Sequence, residues 1–229
     1  MKKLIITSLA LFLLGFIALQ IPFSVLIGGQ DQHFSLFDFI APALGGFIGS
    51  ITGVFSVIGV KALHALFHND TFDTLTIIRL FPLAFGALYF GLKRHKHFMA
   101  LVPFAAIILF TIHPEGRSAW FYSLFWLIPI VSLFVKKSLF FNSLGSTFTA
   151  HAVGSVAFLY AFNLPSEVWI ALIPIVFIER MLFTSGIAIF YLTFNTALSY
   201  ISKLKYVPML SRFVDSRYVL SKKFLSKFV

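Results

Sequence analysis

Ionisable side chains sit mid-run in two apolar stretches: His151 in the run 143–162, and Glu179 and Arg180 in the run 166–200. Such groups are costly in an apolar setting, so they mark ligand binding, proton relay or a polar lock between helices. At ~1.5 Å per residue, His151 lies about 12 Å from residue 143 and Glu179 about 20 Å from residue 166. On adjacent antiparallel helices both come about 10–12 Å from the same edge of a ~30 Å layer. A His–Glu–Arg cluster is therefore expected. Glu179 and Arg180 diverge by ~100° around a helix, so they need different partners.

A second group gathers at the opposite edge. Asp31, Asp38, Asp70, Asp73, Glu115 and Glu167 surround Arg79 and Arg117, with Trp120, Tyr122, Trp126 and Trp169 close in sequence. Aromatic rings around a few converging polar groups can form a ligand mouth. The same aromatics can instead form an interfacial belt. The expected ligand-binding set is Asp38, Arg79, Glu115, Arg117, Trp120, Trp126, His151, Trp169, Glu179 and Arg180. His64 and His68 share a helix face, with Asp70 and Asp73 following. Two imidazoles at a helix end without a third fixed ligand read as interfacial histidines, so no metal site is expected. Nor is a cofactor expected.

Enzyme signatures are few. Thr184-Ser185-Gly186 with His151 can be read as a Ser–His dyad, but Phe183 denies it the G-x-S-G form of intramembrane serine proteases. There is no H-E-x-x-H and no G-x-x-x-x-G-K-[ST], so nucleotide hydrolysis would have to come from a partner. Cysteine is absent, which removes disulfides, thiolate metal sites and Cys nucleophiles.

These residues are carried by a very apolar chain. It has 229 residues, 59% hydrophobic and 11% charged, with a mean hydropathy of +0.94 and 31 Phe. A soluble domain carries about 25% charged residues. An all-α polytopic membrane bundle is expected, filling 1–202, with a basic tail at 203–229. The net charge of +10 fits loop cations facing anionic headgroups better than a nucleic-acid partner. Lys2 and Lys3 precede the run 4–18, which lacks an A-x-A cleavage pattern and reads as an uncleaved first helix.

Charge also counts the crossings. The apolar segments are 4–27, 38–67, 76–92, 97–112, 118–135, 143–162 and 166–200. As simple spans they would put Lys2/Lys3 and Lys93-Arg94-His95-Lys96 on opposite sides, against the positive-inside rule. A turn within 38–67 repairs the parity. That segment carries Ala41, Gly45, Gly49 and Gly53 at four-residue spacing, which can break a helix or let helices touch closely. Two short helices, about 38–48 and 52–67, are expected, each some 16–24 Å long and too short to cross comfortably. The result is about 7–8 helical segments in the cell (inner or plasma) membrane, both termini cytoplasmic. The cations of 93–96, 136–137 and the tail then fall inside, and Asp31, Asp70, Asp73, Glu115 and Glu167 outside.

The first half carries a family resemblance. Its residues are the Pro-containing loop Ile21-Pro22-Phe23 through Gly28-Gly29, then Phe37-Asp38-Phe39-Ile40-Ala41-Pro42-Ala43-Leu44-Gly45-Gly46-Phe47-Ile48-Gly49. A helix closing with Lys61-Ala62-Leu63-His64-Ala65-Leu66 follows, then one with Pro82 and Gly86 that stops at Lys93–Lys96. Over roughly residues 4–110 this resembles the substrate-binding S-components of energy-coupling factor (ECF) vitamin transporters, especially the riboflavin type. Residues 118–162 add a hairpin to that family's usual six helices. The resemblance implies a small-molecule capture subunit without its own ATPase, its pocket opening outward beneath the loop between the first two helices. Its implied partners are a transmembrane coupling subunit and ATPases, in a lipid bilayer.

The tail spaces Phe213, Leu220, Phe224 and Phe228 on one helical face among Lys and Arg, the pattern of a basic amphipathic helix on an anionic leaflet. A structural or assembly protein recruiting a partner through this tail is the alternative function; an intramembrane enzyme is the third.

Overall fold

The computed structural model describes residues 2–25, 33–68, 73–92, 96–135, 138–204 and 208–220. Helix α1 (Lys2–Leu19) leads into a short antiparallel ribbon, β1 (Pro22–Val25) with β2 (His33–Ser35), in which Ser24 faces Phe34. Helices α2 (Phe37–Ile48), α3 (Ser50–Phe67) and α4 (Thr74–Gly91) follow. After a 3-10 turn at Lys96–Ala100 come α5 (Leu101–Ile112), the short α6 (Pro114–Ser118), a 3-10 stretch Trp120–Trp126 and α7 (Leu127–Ser132). Helices α8 (Leu139–Phe162) and α9 (Ser166–Ile201) complete an all-α bundle. Helices α3, α4 and α9 are long and apolar enough to cross a bilayer. Large apolar side chains such as Phe55, Phe104, Phe134, Ile178 and Ile189 stand exposed on the outside of the bundle, which suits a lipid surround.

The break expected within 38–67 falls at Gly49, whose φ of 93° and ψ of 154° belong to a region that only glycine occupies readily. The chain folds back there, so Gly45 and Gly53 meet backbone to backbone: a Cβ on Gly53 would lie 2.6 Å from the Gly45 Cα. On its other side Gly45 lies against α4. A Cβ on Gly45 would collide with the carbonyl of Ala87, and one on Gly91 with the carbonyl of Gly45. Three helix backbones thus converge on Gly45. Ala41 is fully buried in the same stripe, whereas Gly49 packs against nothing and serves the turn alone.

The expected lengths need correction. Helix α3 starts at Ser50 rather than about residue 52 and has 18 residues, about 27 Å, enough to cross. Helix α2, with 12 residues, remains short at about 18 Å. Helix α9 runs 36 residues, about 54 Å, so counting from its start does not fix the depth of Glu179.

Two cores form. One packs α1–α4 with the second half of α9, around Phe37, Leu44, Val57, Ala87, Ile187 and Tyr191. The other packs α5, α7, α8, the Trp120–Trp126 stretch and the first half of α9, around Phe110, Tyr122, Trp126, Phe148 and Trp169. Helix α8 joins them. Its small residues let α4 approach, and Ser146 donates to the Gly86 carbonyl at 2.7 Å. It ends at Asn163, in the left-handed conformation with φ of 48°, just before Pro165. Asp73 caps α4 by accepting the Thr76 N–H at 2.8 Å. That hydrogen bond lowers its carboxyl pKa, so the cap is complete at neutral pH and lost as pH falls through the lowered value.

The described part of the tail is not the expected amphipathic helix. Residues 208–220 form two 3-10 turns folded back on α9. Asn195 donates to the carbonyls of Asp215 and Tyr218 and accepts the Asp215 N–H, and Phe213 is buried. A run of residues that leaves its helical period to satisfy a buried Asn cannot present one apolar face. Lys222, Lys223, Phe224, Lys227 and Phe228 lie outside the described residues.

Gly45→Ala is expected to destabilise the protein by about 1–3 kcal/mol through backbone overpacking. Gly49→Ala acts through φ strain alone, at about 1–3 kcal/mol. Thermal unfolding in detergent checks both.

Candidate functional site

Helix α9 passes from one core to the other between Val176 and Ile187. Arg180 lies in that interval, with its side chain only 11% exposed and Glu179 beside it at 14%. The guanidinium reaches Glu179 Oε2 at 3.6 Å and donates to Thr147 Oγ1 of α8 at a long 3.5 Å. The Phe183 ring lies 4.4 Å from it and the Phe34 ring of β2 5.4 Å. Its Nε is buried and has no hydrogen-bond partner.

A carboxylate from α2 faces this point, with a lysine of α3 beyond it. Asp38, in the first turn of α2, lies within electrostatic range of Arg180 and of Lys61 on α3. Its carboxylate accepts the Ser35 N–H at 2.8 Å and the Ser35 hydroxyl at 3.2 Å. Lys61 Nζ donates to the Arg79 carbonyl at 2.7 Å. The α2–α9 contact sets this level. Phe39 of α2 packs against Phe183 and over Gly186, so Arg180 stands level with the Asp38 end of α2.

His151 occupies the α8 side. Trp126 Nε1–H donates to its Nδ1 at 3.1 Å, which leaves the ring proton on Nε2. Nε2 then faces Tyr122 Oη at 2.8 Å, and the Tyr122 hydroxyl turns toward Ser155 Oγ at 3.5 Å. Phe125 and Phe148 complete an aromatic wall around the imidazole. Arg180 is within electrostatic range of both His151 and Tyr122. The expected His–Glu–Arg cluster forms only in part: Arg180 pairs with Glu179, while His151 is held by Trp126 and Tyr122 on the wall of the same chamber, in electrostatic range of Arg180.

The expected outer mouth is not built as a unit. Glu115 Oε2 accepts the Ser166 N–H at 2.8 Å and so holds the start of α9. Arg117 is exposed and reaches only the Ile112 carbonyl at 3.5 Å. Trp120 is 55% exposed, whereas Trp126 and Trp169 are core residues. Trp169 Nε1 donates to the Leu164 carbonyl. Of the expected set, Asp38, Trp126, His151, Glu179 and Arg180 gather around the chamber, and Trp169 packs edge-on against Tyr122 at 5.2 Å; Arg79 lies beyond Lys61, in electrostatic range of Asp73, and Glu115, Arg117 and Trp120 do not join the group. Asp31 and Asp70 lie outside the described residues. His64 and His68 stack at 4.0 Å, and His68 Nδ1 contacts the His64 carbonyl. Ser185 donates to the Met181 carbonyl and is no partner of His151.

Sequence reasoning missed Thr147 and Ser155, which with His151 form an i, i+4, i+8 polar stripe on α8. That spacing was legible. Lys61, a cation inside the run 38–67, carried the same signal as Arg180, whereas Phe34 carried none.

A cleft of about 510 Å³ opens at the far end of α2, lined by Gly46, Phe90, Lys96, Tyr191, Arg217 and Tyr218. Its cations are already engaged. Lys96 bonds Asn142, and Arg217 forks onto Asp215 at 2.9 and 2.5 Å.

Set beside known proteins, the chain matches no family model, no curated protein and no solved structure. The functional reading rests on the chamber.

Trp126→Phe and Tyr122→Phe should each cost about 1–2 kcal/mol by orphaning a His151 nitrogen. The double variant should cost less than the sum, because the two bonds share one ring. Trp120→Ala should stay within about 0.5 kcal/mol. Thermal unfolding of purified protein reads all of these.

Proposed function

We propose that this chain is a membrane-embedded subunit that captures a small molecule for uptake, energised by a partner ATPase complex. The observation that carries the reading is Arg180, a buried guanidinium at the meeting of two helical cores with an unpartnered Nε. A guanidinium with an open donor is costly in an apolar surround, and an acceptor brought by a ligand offsets that cost. Around it stand groups suited to a ligand: Asp38 and Glu179 for polarity, Phe34 and Phe183 for an apolar body, and the Tyr122–His151–Trp126 network for hydrogen bonding. The resemblance of residues 4–110 to ECF S-components supports the same reading. So does the chain's want of a nucleotide-binding loop.

In this reading the protein is multi-pass, with both termini cytoplasmic. The hairpin of α2 and α3 enters from outside and returns, and the chamber lies toward the outer face beneath the β1–β2 ribbon. Tail recruitment of a partner is less well supported, because residues 208–220 spend their polar backbone on Asn195 and Thr196 of α9.

Topology is tested in a chain that is naturally free of cysteine. Ser118→Cys should react with a membrane-impermeant maleimide on intact cells, and Ser216→Cys only after lysis. The reverse pattern refutes the orientation. For the function, mild purification of the full chain should bring down an ATPase complex or a retained small molecule. Recovery of neither would sink the proposal.

A further inference from the structure

The geometry points to a carboxylate-bearing small molecule with a flat apolar body as the ligand held at Arg180; this rests on the capture reading above. A guanidinium carries five N–H donors in a planar fork. At Arg180 that fork makes one hydrogen bond of 3.5 Å and one ion pair of 3.6 Å, and Nε makes nothing. The same chain shows what a satisfied fork looks like. Arg217, half-exposed, binds Asp215 through Nε at 2.9 Å and Nη2 at 2.5 Å. The arginine in water is bidentate, while the one out of water is not. The missing partner is an acceptor pair at the Nε edge, which is the geometry of a carboxylate.

Among the described residues no acceptor reaches the Nε edge. Glu179, the preceding residue on the helix, meets Nη2 at 3.6 Å. Asp38 is occupied by Ser35. A planar carboxylate fits the open Nε edge, whereas a tetrahedral phosphate asks for more donors than the chamber offers. The body of the ligand follows from the neighbours. Phe183 and Phe34 stack at the guanidinium, and Phe34 rests on Phe183 with centroids 4.7 Å apart. A flat apolar group can take its place beside Phe183 when Phe34 moves aside with the ribbon.

The test uses full-length protein purified in mild detergent. Retained small molecules are extracted, methyl-esterified and weighed by mass spectrometry, for wild type, Arg180→Gln and Arg180→Lys. The expected species gains a methyl ester and is retained roughly ten- to a hundredfold less by Arg180→Gln. Arg180→Lys, which keeps the charge without the fork, should fall between them. Where the variants do not fold, esterification of the wild-type species decides alone. A retained species without an esterifiable carboxylate, or one held equally by folded Arg180→Gln, overturns the carboxylate assignment and leaves capture standing. Wild-type protein that retains nothing, and whose unfolding temperature neither benzoate nor indole-3-acetate raises, overturns both.

Discussion

The contact of three helix backbones at Gly45 governs how everything else in this bundle is placed. Because Gly45 has no side chain, α3 can fold back onto α2 at Gly53 while α4 presses in from the other side at Ala87 and Gly91. That convergence fixes the height of α2, and α2 carries Asp38 and Phe39 at its first turn. Phe39 sits over Gly186, which sets α9 against α2 and puts Arg180 level with Asp38. A chain of small-residue contacts therefore ends at a large charged one. Lipid gives helices no hydrophobic reason to associate, so close backbone approach is the available route to a defined geometry.

Against that well-packed frame Arg180 stands out. Many polar groups between helices are served: Ser146 on Gly86, Tyr89 on the Pro129 carbonyl, Asn142 on the Phe90 carbonyl, Asn195 on the tail. Ser132, Ser143 and His113 share with Arg180 a buried atom without a partner among the described residues. Arg180 is the charged one of the four, and an underused charge costs more than an underused hydroxyl. The His151 network beside it differs in kind. Its three side chains satisfy one another, so it gives the chamber a rigid wall.

Much of this was written in the sequence, for identifiable reasons. The charge parity of the loops called for a turn within 38–67, and the glycine spacing bracketed it near Gly49–Thr52; it falls at Gly49. His151 and Arg180 were visible because ionisable residues are conspicuous in apolar runs. Depth was not legible, since α9 is far longer than a bilayer and its register is set by Phe39 on Gly186. The outer mouth failed because proximity in sequence to an edge says nothing about direction: Glu115 turns to the N–H of Ser166, and Trp126 and Trp169 turn into the core. The tail failed because a buried Asn195 outcompetes amphipathic periodicity. Lys61 stands inside the apolar run 38–67 and within α3, so the same rule applied to it, but nothing in the sequence tied it to Asp38.

The central claim is that the Arg180 chamber is completed by a ligand, and a density map of the full-length protein in a lipid nanodisc addresses it at one atom. The account predicts non-protein density within hydrogen-bonding distance, about 3 Å, of Arg180 Nε, bounded by Phe34 and Phe183. A protein carbonyl or carboxylate bonded to that Nε, with nothing else beside it, would contradict the account.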